Sequence, residues 1–92
     1  MNYKAFSIKD KALDSYSAPF TQATLEAGLR MFREIVTFGD ENNRYRRAPE
    51  DYVLYMVGEF DDTEAKMTDT VNVRIASAAE ILIEDRGQEN VT

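Results

Sequence analysis

The sequence predicts an α+β fold: a small antiparallel sheet of three to four strands with one long helix packed on one face, in β-α-β-β order, assembled as an oligomer. Three observations carry that prediction. Residues 52 to 57 are dense in β-branched and aromatic side chains, and residues 25 to 36 repeat apolar side chains at helical spacing. The third is size: a chain of 92 residues buries a modest core, and with no cysteine to cross-link it, self-association is the default staple.

The first strand is expected from Tyr3 to Lys9, where Phe6 and Ile8 share one face and Ala5 and Ser7 the other. Asp10 to Pro19 reads as a connection, because Asp14-Ser15-Tyr16-Ser17 are turn formers and Pro19 keeps Ala18 extended. A helix follows, with Thr21 as the expected N-cap and Leu25, Leu29, Phe32 and Val36 forming a stripe that Ile35 widens. Gly39 stands where a left-handed C′ residue ends a helix. Gly28, inside that helix, costs about 1 kcal/mol relative to alanine. Two readings stay open for it, a close backbone approach or an unoptimised position.

Asp40 to Pro49 is a polar connection, and Tyr52 to Val57 is the strongest strand signal. Its alternation sends Leu54, Met56 and Phe60 one way and Val53, Tyr55 and Val57 the other, so both faces are apolar and both need cover. One helix covers one face. Val53, Tyr55 and Val57 are therefore the candidate oligomer or partner interface. Asp61-Asp62-Thr63-Glu64 reads as a turn into a shorter strand over Ala65 to Thr68, and Val71, Val73 and Ile75 suggest another strand. Residues 76 to 82 suit a short helix or a further strand, with propensity favouring the helix. Residues 1 to 85 are read as one domain and 86 to 92 as a flexible C-terminal tail.

Composition excludes several chemistries. Histidine and cysteine are both absent, which removes the usual activated serine and cysteine nucleophiles and the usual zinc ligands. Glycines at 28, 39, 58 and 87 assemble no phosphate-binding fingerprint. Glu59, Asp61, Asp62 and Glu64 cluster in sequence, but a solvated hairpin tip leaves carboxylates with ordinary acidity. The expectation is a protein that is not an enzyme and holds no cofactor or metal. No apolar run approaches the roughly 20 residues that span a bilayer, and the lack of cysteine fits a reducing intracellular compartment.

A net charge of −6 argues against coating nucleic acid by bulk electrostatics, so any such contact must be local. The one local basic feature is Arg44-Tyr45-Arg46-Arg47, with Arg30 and Arg33 on the preceding helix. Cations interleaved with a ring can hold phosphates and stack a base. The same residues also suit a solvated loop, with Arg30 pairing Glu26 or Glu34. Tyr3, Phe6, Tyr52, Tyr55 and Phe60 on strands could form a stacking platform, although packing is the commoner use of strand aromatics.

The order of these pieces carries a resemblance. A first strand enters Asp10-Lys11. Ala18-Pro19-Phe20 precedes the helix, which holds Ala27-Gly28-Leu29-Arg30-Met31-Phe32. Pro49-Glu50-Asp51-Tyr52 leads into a strand that leaves through Gly58-Glu59-Phe60-Asp61-Asp62, and Arg74-Ile75-Ala76-Ser77-Ala78 follows. Over residues 3 to 82 this resembles the small nonstructural protein of the gokushoviruses, the microvirus subfamily of single-stranded DNA phages. The resemblance implies a protein of the infected bacterial cytoplasm, absent from the mature particle, acting in viral DNA replication or packaging. It transfers no catalytic residue. Direct binding of single-stranded DNA is one expectation. The others are an adaptor for a phage or host replication or procapsid protein, and a host-directed inhibitor, neither touching DNA.

Overall fold

The computed structural model describes residues 1–40 and 42–89. Its elements are β1 (Asn2–Asp10), β2 (Ser15–Tyr16), β3 (Phe20–Gln22), α1 (Leu25–Thr37), α2 (Arg44–Arg47), a 3₁₀ turn (Pro49–Asp51), β4 (Tyr52–Asp61), β5 (Lys66–Ser77) and α3 (Ala78–Glu89). The fold is α+β, and the five strands form one antiparallel sheet. β1 and β4 lie at its centre, and β5 is the outer neighbour of β4. Beyond β1, two short strands divide the edge: β3 pairs Phe20 with Phe6, and β2 pairs Tyr16 with Lys9.

Two helices, not one, share the covered face. α1 has 13 residues and packs on β1 and β3, and α3 has 12 and packs on β4 and β5. The core is Phe6 and Ile8 of β1, Phe32 and Val36 of α1, Leu54 of β4, Ala76 of β5, and Ala78 and Ile81 of α3. Gly28 belongs to this contact: a Cβ there would lie 2.3 Å from the Phe6 ring, so the position is a close approach and not an unoptimised one.

Several boundaries differ from the sequence reading, each for a local reason. Thr21 does not cap α1, because it is drawn into β3 opposite Ala5; Thr24 caps instead, accepting from the Ala27 amide at 3.1 Å. Leu25 consequently sits in an open first turn and is 38% exposed. Gly39 does adopt a left-handed conformation, with φ of 76°. The connection from Asp10 to Pro19 contains β2, fastened by Ser17, whose hydroxyl accepts from the Ile8 amide at 2.9 Å.

β4 carries the most consequential irregularity. Ala5 pairs with Gly58 and Phe6 with Met56, which leaves Val57 as an extra residue in the ladder. Alternation restarts beyond it. Phe60 therefore stands opposite Tyr3, on the face of Ala5 and Ser7, and not with Leu54 and Met56 as strict alternation requires. The two strands expected after the hairpin are one, since β5 follows β4 for nearly its whole length. Residues 76 to 82 are both things: the strand ends at Ser77, and its hydroxyl accepts from the Glu80 amide at 3.1 Å to start α3. The tail expected from residue 86 begins as helix, as α3 runs to Glu89; residues 90 to 92 lie outside the described residues.

Candidate nucleic-acid interface

The arginine-rich segment is a helical turn and not an open loop. Asn43 builds it from both sides. Its side-chain oxygen accepts from the Tyr45 amide at 2.9 Å, and its amide nitrogen donates to the carbonyls of Ile35 at 2.7 Å and Phe38 at 2.9 Å. The end of α1 and the start of α2 are thereby held together. Arg46 adds a bond to the Gly39 carbonyl at 2.9 Å.

Tyr45 is half-buried and packs edge-to-face on Tyr52, with ring centroids 4.6 Å apart. Arg44 lies 5.1 Å from the Tyr45 centroid and donates to its hydroxyl at 3.1 Å, a bond that raises the guanidinium above its ordinary pKa. Arg44, Arg46 and Arg47 are exposed. Arg33 is turned toward α3 and bonds Glu84 at 2.7 Å, while Arg30 is exposed on α1. Among the described residues no hydrogen bond or ion pair joins Arg30 or Arg33 to α2.

Of the candidate interface residues, Val53 and Tyr55 do lie on the face turned away from α1 and α3. Register places Lys9, Val53 and Ser77 in one row across it and Ser7, Tyr55 and Arg74 in the next. Val53 is buried, Tyr55 is half-buried, and Val57 is half-buried at the bulge without a cross-strand partner. This outer face opens into a cleft of about 360 Å³ lined by Lys9, Lys11, Glu50, Val53, Tyr55 and Arg74, among others. A second cleft, of about 180 Å³, is lined by Leu13, Tyr16, Arg44, Tyr45 and Tyr52, among others.

Tyr16 connects the two. Its ring meets Tyr55 edge-on at 5.7 Å, and the Lys9 ammonium stands 5.4 Å from its centroid. Two cations of the outer face already have carboxylate partners. Lys9 is 3.4 Å from Asp14, whose hydrogen bond raises the ammonium pKa, and Arg74 bonds Glu80, which holds the Glu80 carboxyl below its ordinary value. Sequence reasoning missed Lys9, Lys11, Tyr16 and Arg74. The β2 pairing that brings Tyr16 beside Lys9 and Tyr55 is only two residues long and gives no periodic signal.

The acidic hairpin is not a site of the same kind, because its groups are engaged separately. Glu59 bonds Lys4, Asp62 bonds the Met1 amino group at 2.8 Å, Asp61 accepts from the Thr63 amide at 2.9 Å, and Glu64 lies 3.8 Å from Lys66. Among the described residues no three acidic side chains are grouped as a metal site, and no helix is long and apolar enough to cross a membrane. The arrangement offers cations and flat rings to a ligand.

Residues 3–81 match the family described as Phage ORF5 protein. A relative, Protein ORF5 of Chlamydia phage 1, a gokushovirus, is 31% identical over 83 residues, covering 86% of each chain. No solved structure matches the chain.

Proposed function

The chain belongs to the phage ORF5 protein family, and from that membership we propose a nonstructural accessory protein that acts by binding, not catalysis, during replication or packaging of the viral DNA. On this reading it works in the host bacterial cytoplasm, as a homo-oligomer, and contacts single-stranded DNA directly. The supporting observation is the distance along β4 between the arginine turn and the acidic hairpin. Its first residue, Tyr52, packs on the arginine turn, and its last, Asp61, belongs to the acidic hairpin. Ten strand residues at about 3.3 Å each put roughly 30 Å between these ends. The screening length at physiological salt is about 8 Å, so the hairpin does not repel a strand bound at the arginine end.

The test is a titration of labelled single-stranded and double-stranded DNA followed by fluorescence anisotropy at low and physiological salt, with the oligomeric state measured in the same buffer. Salt-sensitive binding that prefers single strands is the expected result, with loss of affinity when Arg44, Arg46 and Arg47 are all changed to alanine. Absence of binding at both salt concentrations overturns it.

One observation favours a second reading, an adaptor for a replication or procapsid protein. Met31, Glu34, Ile35 and Phe38 line a largely apolar patch at the flank of α1, where Ile35 edges the core and Phe38 is 79% exposed. Binding through that patch would depend little on salt.

A further inference from the structure

We infer that bound single-stranded DNA does not stop at the α2 arginines but continues over the β2 edge onto the outer face of the sheet, where Tyr16 stacks a base and Lys9 and Arg74 take neighbouring phosphates. This deepens the proposed reading and rests on it. The path is continuous. Arg44 and Tyr16 line one cleft, Tyr16 touches Tyr55, and Tyr55 lines the next cleft with Lys9 and Arg74. Tyr16 is the ring on this path that β2 holds at the sheet edge, and it is 45% exposed. An aromatic face flanked by cations is the arrangement that holds an unpaired base and its backbone; a duplex hides the base face and gains only the phosphate contacts.

The carboxylates give this site a signature. Asp14 is 88% exposed beside Lys9, and Glu80 is 49% exposed beside Arg74, so each cation is held by a solvated partner that a phosphate must displace. Exposed pairs of this kind are weak, so displacement is feasible at modest cost in affinity. Removing the competing charge should strengthen binding, an effect that generalised damage to the fold does not produce. Asp14→Asn suits this purpose, because Asp14 has φ of 51° and asparagine tolerates that region as well as aspartate. Glu80→Gln keeps the side-chain shape at the other cation.

The experiment is anisotropy titration of a labelled oligothymidine at one fixed low salt with the wild-type chain, Tyr16→Ala, Tyr16→Phe, Asp14→Asn and Glu80→Gln, each checked for folding by circular dichroism. The expected pattern has Tyr16→Ala weakening binding about five-fold or more, the effect of losing one stacked base. Tyr16→Phe stays close to wild type, and Asp14→Asn and Glu80→Gln each bind more tightly than wild type. If the wild-type chain binds while Tyr16→Ala and both neutralised variants match it, the outer-face track is wrong and direct DNA contact through α2 stands. A wild-type chain that does not bind overturns both.

Discussion

The two faces of the sheet are cut from the same strands by alternate residues, and they do opposite things. On the helix side, Phe6, Ile8, Leu54 and Ala76 disappear under α1 and α3. On the outer side, the rows Lys9–Val53–Ser77 and Ser7–Tyr55–Arg74 alternate small buried residues with long side chains that reach solvent. The first face concentrates apolar burial, the dominant favourable term in folding. The second buries only small side chains, Ser7, Val53 and Ser77 among them, and keeps cations and rings where a ligand can meet them. The long side chains of the outer face are free to carry function, and substitutions should sort accordingly: changes to the buried helix-side residues read out in unfolding, changes to the solvent-reaching outer residues in binding.

The largest effect is expected at Phe32, which is fully buried between α1 and the strands. Truncating a buried phenylalanine costs about 3–5 kcal/mol, through lost transfer energy and the cavity left behind. A small domain has only about 5–15 kcal/mol in total. Phe32→Ala should therefore lower the urea midpoint severely, whereas Tyr16→Ala on the outer face should leave it nearly unchanged. Equal midpoints for the two variants would break the contrast between the faces.

A smaller effect on the same side sharpens it. Gly28→Ala would gain about 1 kcal/mol of helix propensity if the helix stood alone. Here the added methyl meets the Phe6 ring at 2.3 Å, so ring or helix must shift, and overpacking of this kind costs about 1–3 kcal/mol. The net expectation is destabilisation in thermal unfolding. A stabilised Gly28→Ala would mean that α1 does not rest on β1 as closely as the core contacts require.

How much of this could be read from the sequence depends on whether a feature is periodic. The strand from Tyr52, the helix carrying Phe32 and Val36, and the Gly39 stop follow from patterns several residues long, and they are present. Strict alternation puts Phe60 on the helix face, and one extra residue, Val57, resets it to the other. Thr21 and Thr24 are both competent caps, and the choice between them is made by β3 pairing with a distant strand, which local propensity does not see. The Arg44 to Arg47 part of the candidate site is legible because like residues stand adjacent in sequence there. Lys9, Tyr16 and Arg74 come from three separate strands, and only register brings them together.

The smallest expected effect links the two faces through pH. Arg74 donates to Glu80, and that bond, opposed by desolvation, holds the Glu80 carboxyl below its ordinary value in the folded chain. A carboxyl whose folded pKa is depressed contributes stability that is present above its unfolded value and lost as pH falls through the folded one. Both side chains are about half exposed, 50% and 49%, so solvent screening keeps this contribution below about 1 kcal/mol. Wild type should lose slightly more thermal stability than Glu80→Gln as pH is lowered through the carboxylate range. Protonating Glu80 also releases Arg74 onto the outer face, so over the same range the affinity of wild type for single-stranded DNA should rise toward that of Glu80→Gln. The stability term and the binding term therefore move in opposite directions with the same proton. A parallel decline of both in wild type, with Glu80→Gln following it, would mean that Arg74 does not face the DNA.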